Sequence, residues 1–330
     1  DPEILTLGIQ YLTIVCVCSF GLYAQLIFEK LLQSTGKTLY SMITQAVGAM
    51  INIILDPILI FGLLGMPKLG VAGAAIATVI GQIVGGILGL YFNIRKNREI
   101  KLSVKGFRPE MRTIANIYKV GVPSIIMQAI GSVMTYGMNM ILITFSSTAT
   151  AVFGVYFKLQ SFFFMPVFGL NNGLIPIVAY NYGAGKRSRL IKAIKCSLVY
   201  AFVLLFAGFA VFETMPEVLL GMFEASDEML AIGVPALRVI GMHFLVAWFC
   251  IIAGSVFQAL GNGVYSLIVS VARQLVVLLP VAFMLARLGG LHAVWWAFPI
   301  AEVMSLCVST LFMILINKKV IQNIPDNITS

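Results

Sequence analysis

The chain has 330 residues, of which 60% are hydrophobic and only 11% charged, and its formal net charge is +9. Soluble domains average roughly 25% charged residues, so the composition excludes an ordinary soluble domain and predicts an all-α polytopic membrane protein. A basic chain could in principle bind nucleic acid. The distribution of its charges, described below, argues against that partner.

Nine apolar runs are long enough to cross a bilayer core of about 30 Å as helices. They fall near residues 5–28, 39–64, 70–93, 114–145, 151–179, 190–211, 229–257, 264–286 and 291–316. The one long polar stretch, "RKNREIKLSVKGFRPEMR", follows the third run. We therefore predict an incomplete first bundle (1–94), a cytoplasmic linker (95–113), a six-helix bundle (114–317) and a cytoplasmic tail (318–330).

Lysine and arginine are concentrated on one side of the predicted topology. If the spans alternate from an outside start, that side receives the basic loops 95–112 and 183–195, whereas the other side keeps only Lys68 and Arg287. The positive-inside rule then places the basic loops in the cytoplasm. We expect the protein to be integral to the plasma membrane. Contact with anionic lipid headgroups accounts for the net charge without a nucleic acid.

The chain contains an internal repeat at an offset of 225 residues. This offset aligns Gly8 with Gly233 and brings seven identities together without a gap, including Gln33 with Gln258 and Gly36 with Gly261. The first three runs therefore look like a second copy of the last three. In the second half three further helices precede that trio, so we expect two pseudo-symmetric six-helix bundles with nine of twelve helices present, an arrangement typical of transporters.

A carboxylate and a proline interrupt the aliphatic run "NIILDPILIFG" at 52–62. Gln45, Gly48, Asn52 and Asp56 are spaced three, four and four apart, so they share one helical stripe. A carboxylate at membrane depth costs about 2.5 to 3.5 kcal/mol and normally faces a bundle interior or a water-filled cavity. Pro57 has no N–H and is expected to kink the helix, leaving a carbonyl near the acid.

The following helix is predicted to form the wall of this site. Small residues recur at every fourth position, namely Ala77, Gly81, Gly85 and Gly89, which allows a neighbouring helix to approach closely. Thr78 and Gln82 flank that face and are expected to meet the Asp56 stripe. Asp56 is interpreted as an ion site, and the alternative is a structural acid that Asn52 and Thr78 alone satisfy. Asp56 aligns with Val281 in the repeat, which favours the ion site, because an acid needed for folding would be expected in both copies.

The second bundle carries four charges at or near membrane depth, Lys158, Arg238, Arg273 and Glu302. We expect Glu302 to pair with one of these bases and both histidines, His243 and His292, to be structural. A drug-accepting cavity is predicted from a mixture of thioether, aromatic and amide side chains. Its candidate residues are Met127, Gln128, Tyr136, Asn139, Tyr156 and Gln160.

The motifs "NIILDPILIFG", "LGVAGAAIATVIGQ", "YNYGAGK" and "GVP" resemble the multidrug and toxic compound extrusion (MATE) family, and the resemblance runs through all nine helices. It is strongest to the DinF-like branch and aligns the chain with helices four to twelve of a MATE/MOP-type fold. It implies an antiporter in which sodium ions or protons enter while organic cations leave. Asn52, Asp56 and Thr78 match the cation-coupling positions, with Asp56 and Asn52 as metal ligands if the ion is sodium.

The resemblance implies no cofactor apart from the coupling ion, no enzymatic activity, and a monomer that contacts membrane lipid and small organic cations. A lipid-linked oligosaccharide flippase of the same superfamily is the alternative, because Lys158, Arg238 and Arg273 would suit a pyrophosphate. An intramembrane enzyme would need paired acids or a Ser/His or metal constellation, for which two distant histidines offer no basis. A purely structural membrane protein would leave the Asp56 stripe unexplained.

Overall fold

The computed structural model describes residues 2–103 and 108–324. Parts of the predicted linker (104–107) and of the predicted tail (325–330) therefore lie outside the described residues. The chain forms two compact units, Asp1–Arg108 and Pro109–Ser330, whose boundary falls within the predicted linker. Throughout the described ranges the regular structure is helical, which confirms the predicted all-α class.

Over residues 2–103, the first unit forms four α-helices and a short 3₁₀ turn. They are α1 (Pro2–Val17), α2 (Phe20–Ser34), α3 (Thr38–Phe61), the 3₁₀ turn Leu63–Gly65 and α4 (Val71–Arg95). Helix α3 ends at Gly62, whose φ of 73° lies in the left-handed region that a glycine tolerates. Pro57 lies inside α3 without ending it, so the helix continues past the acid for one more turn.

The second unit is built from the remaining helices. They are α5 (Met111–Leu142), α6 (Ser147–Gly183), α7 (Arg187–Thr214), α8 (Pro216–Gly221), α9 (Asp227–Gly241), α10 (Phe244–Ala259), α11 (Gly263–Val271), the π-helical segment Ala272–Leu278, α12 (Leu279–Val294), α13 (Ala297–Lys319) and the 3₁₀ turn Ile321–Asn323. Its interior is a cluster of fully buried aromatic rings. Tyr156, Phe212 and Phe244 belong to this cluster.

In the described part of the chain, seven helices are long and apolar enough to span a membrane, or up to nine if each of two bent pairs is one span. The predicted number is reached only when both pairs are counted. The helical path of α12 is broken at Gly290, whose φ of 67° and ψ of −164° are non-helical, and this break lies between the predicted spans 264–286 and 291–316.

The two copies of the repeat have the same local geometry, which confirms the repeat. Each copy opens with a bent helix pair, α1–α2 at 49° and α9–α10 at 50°. The second helix of each pair ends at equivalent residues, Ser34 and Ala259, which are 225 apart. Gly36 and Gly261 then have φ values of 72° and 77°, so the same left-handed turn leads into the next helix in both copies.

Helix α4 packs closely on α3 and α2 through its small residues, as the fourfold spacing predicts. A Cβ atom added to Gly81 would lie 2.7 Å from the carbonyl oxygen of Gly48 on α3. One added to Gly85 would lie 2.8 Å from the side-chain amide carbon of Gln25 on α2, and one on Gly89 would lie 3.0 Å from Phe28. The Gly81 contact is with a backbone atom that cannot rotate away, so this glycine sets the spacing of α3 and α4, whereas the neighbours of Gly85 and Gly89 are side-chain atoms.

Candidate functional site

The structure brings together the three residues predicted as a cation site. The side-chain amide of Asn52 donates to Oδ1 of Asp56 at 3.2 Å and to Oγ1 of Thr78 at 3.3 Å. Asn52 and Asp56 are one turn apart on α3, and Thr78 faces them from α4. All three side chains are partly buried, so the cluster offers a carboxylate, an amide oxygen and a hydroxyl to a small ion.

Asp56 has no cationic partner among the described residues, where the ion pair between Arg273 and Glu302 stands alone. The hydroxyl of Thr78 donates to the backbone carbonyl of Ala74 at 3.0 Å, which fixes its lone pairs toward Asn52. Pro57 supplies no N–H to the carbonyl of Ile53, which leaves a further oxygen one turn before the proline. A carboxylate surrounded by neutral oxygens can bind a proton or a hard cation such as sodium.

Not every residue expected around Asp56 takes part. Gln82 makes no hydrogen bond to Asn52 or Asp56 within the described ranges. Gln45, which lies on the same face of α3, instead donates to Oε2 of Glu29 at 2.7 Å. Two side chains of the predicted stripe therefore bind different carboxylates, since Gln45 contacts Glu29 and Asn52 contacts Asp56.

Glu29 is a second buried acid of the first unit, which the sequence reasoning missed. Glu29 lies in α2, within a candidate span, and is only 2% exposed. Besides the bond from Gln45, its Oε1 accepts from Gln25 at 2.8 Å and from Thr44 at 3.3 Å. Gln25 lies one turn before Glu29 on α2, but Thr44 and Gln45 lie on α3, and no local spacing rule reveals that contact between helices.

The charges of the second unit divide into a pair and two exposed bases. Arg273, in the π-helical segment, lies 3.0 Å from the carboxylate of Glu302 on α13, which confirms that Glu302 pairs with one of the bases. Lys158 and Arg238 are exposed, and Lys158 lies over the ring of Phe223 at 5.8 Å. The attraction of the Arg273 guanidinium offsets part of the free-energy cost of burying the charged Glu302 carboxylate.

A cavity of about 340 Å³, which we call the Glu302 cavity, opens beside this ion pair inside the second unit. Two of the predicted cavity residues, Tyr156 and Gln160, line it together with His243 and Arg273. Tyr156 is almost fully buried. The volume falls in the range of small-molecule sites, with an apolar wall and a few convergent polar groups.

The other predicted cavity residues lie elsewhere in the second unit. Met127 and Gln128 line a second cavity of about 620 Å³, which also contains Gln258 and shares Arg273 with the Glu302 cavity. Tyr136 and Asn139 line an open depression with Gln128, and Tyr136 is 69% exposed. The six residues therefore line three neighbouring concave surfaces rather than one chamber, because α5 and α6 present successive turns in different directions.

The fold and the buried polar clusters define the class of protein. The chain is an integral membrane protein of repeated helix trios with ionisable groups at membrane depth, which is the organisation of a secondary transporter. The profile of the MatE family matches residues 1–58 and 123–284. The chain belongs to the MatE family.

Two relatives are multidrug export proteins MepA of staphylococci. The protein from Staphylococcus haemolyticus (strain JCSC1435) is 31% identical over 276 residues, which cover 84% of this chain and 60% of that protein. The one from Staphylococcus aureus (strain bovine RF122 / ET3-1) is 29% identical over 307 residues, covering 92% and 66%. The chain thus spans somewhat less than two thirds of the length of these relatives.

A solved structure described as the outward-facing conformation of a multidrug resistance MATE family transporter of the MOP superfamily has the same fold. Its TM-score is 0.86 at 23% identity, covering 96% of this chain and 70% of that one. MATE proteins are membrane transporters rather than enzymes, which is consistent with the expected absence of catalysis. The relatives do not favour the flippase alternative.

Proposed function

We propose that the protein is a multidrug exporter that moves organic cations out of the cell by alternating access, driven by inward movement of sodium ions or protons. The proposal rests on the two hydrogen bonds that the Asn52 amide donates, one to Asp56 on α3 and one to Thr78 on α4. A coupling ion bound there would touch both helices, so binding and release can change how they pack. The MepA relatives are multidrug export proteins, which supports drugs as the exported compounds.

Within this proposal, Asp56 carries the exchangeable charge and Asn52 and Thr78 add neutral oxygens. Sodium would use all three side chains as ligands, whereas a proton would need the carboxylate alone. We propose that the protein is a monomer in the plasma membrane. Loops 95–112 and 183–195 lie in the cytoplasm in this proposal, because their lysines and arginines follow the positive-inside rule. The Glu302 cavity and the Met127–Gln128 cavity are the proposed drug-contacting surfaces.

The test is efflux of a fluorescent organic cation from proteoliposomes that contain the full-length protein, under an inward sodium gradient or an inward proton gradient. Wild-type protein should export under one gradient and so identify the ion, and Asp56→Asn should fall to the level of protein-free vesicles while remaining folded. Asp227→Asn is the matched control, since Asp227 is exposed in the first turn of α9. Equal efflux by wild type and Asp56→Asn would contradict the coupling role.

A further inference from the structure

The carboxylate of Glu29 is buried within the first unit and is held only by neutral side chains. It accepts hydrogen bonds from Gln25 on α2 and from Thr44 and Gln45 on α3, at 2.8, 3.3 and 2.7 Å. A buried carboxylate normally has a cationic partner, because the transfer of an unpaired charge out of water is costly. Glu29 has none among the described residues, where the one ion pair lies in the second unit.

The helices packed against α2 offer no hidden counterion. The titratable side chains of α2 and of the two helices packed on it are Tyr23 and Lys30 on α2, Tyr40 and Asp56 on α3, and Tyr91 and Arg95 on α4. Lys30, next to Glu29 in sequence, points elsewhere and donates to Gln33 at 3.0 Å. Tyr40 packs its ring on Phe92 at 4.8 Å. None of these groups hydrogen-bonds to Glu29.

The chemistry of the three partners suits a carboxyl group that changes its protonation state. A glutamine amide carries both a donor and an acceptor, and a threonine hydroxyl can serve as either. With Glu29 ionised, both glutamine amides donate to it, whereas the one hydroxyl proton of Thr44 is shared between the carboxylate at 3.3 Å and the closer backbone carbonyl of Ser41 at 2.7 Å. When a proton binds one carboxylate oxygen, rotation of the Gln45 amide turns its oxygen toward the new O–H, so both states keep their hydrogen bonds. A lysine or arginine partner would instead fix the ionised form.

The position of Glu29 gives it both access and a connection to the Asp56 cluster. Glu29 is 2% exposed, whereas its partner Gln45 is exposed, so the Gln45 amide connects the buried carboxylate to the surface of the unit. Gln45 and Asp56 lie on the same face of α3, eleven residues and therefore about 16 Å apart along the helix. Gln25, the second partner, packs on Gly85 of the same α4 that carries Thr78.

We propose that Glu29 is a second proton-binding site in this unit, separate from Asp56, which takes up a proton from water and returns it to water during transport. The transport part of this inference rests on the proposed function, but the protonation itself does not. The α2 helix would then respond to the occupancy of Glu29, while the α3–α4 contact responds to the Asp56 cluster.

The experiment is infrared difference spectroscopy of the full chain in detergent between high and low pH. Wild-type protein should show a carboxylic C=O stretch that appears on acidification and is absent from Glu29→Gln. This substitution keeps the shape and hydrogen bonds of protonated glutamate. The band should persist in Asp56→Asn and in Glu217→Gln, which removes an exposed acid from the short helix α8.

If Glu29 stays ionised at every pH at which the protein is folded, the proposal is wrong and the carboxylate is structural. A band abolished by sodium at fixed pH would also overturn it, in favour of a metal-ion site. Should Glu29→Gln not fold, Gln45→Leu, which removes the donor at 2.7 Å, provides the second test. Loss of a donor to the ionised form must shift the appearance of the band to higher pH, and an unchanged band would contradict the assignment.

Proteoliposome efflux separates this inference from the proposed function. Glu29→Gln should lower proton-driven efflux while Glu217→Gln retains it. If wild-type protein exports nothing under either gradient, the proposed function fails, yet the infrared band still decides whether Glu29 binds a proton. If wild type exports normally and Glu29→Gln matches it under a proton gradient, the transport role of Glu29 is excluded.

Discussion

The guanidinium of Arg273 lies 3.0 Å from the carboxylate of Glu302, between the π-helical segment and α13 of the second unit. The two side chains are unequally buried, at 31% and 4% exposure. The charge of Glu302, which is more deeply buried, therefore needs the ion pair for its stabilisation more than the charge of Arg273 does. One oxygen of Glu302, Oε1, is buried without a hydrogen-bond partner in the described part of the chain, so Arg273 is its principal stabilising contact.

We expect Arg273→Met to destabilise the protein by about 3 kcal/mol, because it leaves the Glu302 charge buried and unpaired. The value lies at the low end for broken buried pairs, since Arg273 is partly exposed. Thermal unfolding in detergent measures the loss. The double variant Arg273→Met/Glu302→Gln should recover most of it, and a double variant as unstable as the single one would show that Arg273 acts through packing instead.

A second prediction concerns the hydroxyl of Thr78, which accepts a hydrogen bond from Asn52 at 3.3 Å. Thr78→Val keeps the shape of the side chain but removes this oxygen from the Asp56 cluster. One lost polar contact is worth about 1 kcal/mol, so the concentration of driving ion needed for half-maximal efflux should rise about fivefold. If the coupling ion is a proton held by Asp56 alone, the rise should be smaller.

The control for this measurement is Thr214→Val. The hydroxyl of Thr214 also bonds to a carbonyl in its own helix, that of Ala210, but it is exposed at the end of α7 and far along the chain from the cluster. It should leave the ion dependence unchanged. An equal effect of the two substitutions would assign the change to helix bending rather than to ion binding.

The Asp56 cluster could be predicted because its geometry is local. Asn52 and Asp56 are four residues apart on one helix, and the small residues of the next helix indicated that Thr78 would lie nearby. Glu29 could not be found in this way. It stands next to Lys30 at the predicted end of a span, which is typical of a solvated helix end, and its partners Thr44 and Gln45 are 15 and 16 residues away.

The turns of the repeat could also be predicted from the local sequence, whereas the burial of individual side chains depends on how the helices pack. Gly36 and Gly261 recur at a fixed offset, so the turns could be read from the sequence and are present. The residues that line a cavity could not be predicted as well from the sequence. Residue type made Tyr136 and Tyr156 equivalent candidates, but Tyr136 is 69% exposed and Tyr156 is 1% exposed, because the rotation of each helix depends on its neighbours.

The final prediction tests the close approach of α3 and α4. A Cβ atom at Gly81 would lie 2.7 Å from the backbone oxygen of Gly48, and a backbone atom cannot rotate away as a side chain can. We therefore expect Gly81→Ala to destabilise the protein by about 1 to 3 kcal/mol and to impair efflux, because the helices that hold Asp56 and Thr78 are pushed apart. Gly85→Leu should be more severe, since it also displaces Gln25 from Glu29.

Gly154→Ala is the matched control for this prediction. It lies inside helix α6 with nothing within 4 Å of an added Cβ, so alanine should leave stability unchanged or raise it by about 0.5 to 1 kcal/mol. Unfolding temperatures of the three variants in detergent, together with efflux, give the comparison. If Gly81→Ala is as stable and as active as Gly154→Ala, the separation of α3 and α4 is not what sets the geometry of the Asp56 cluster.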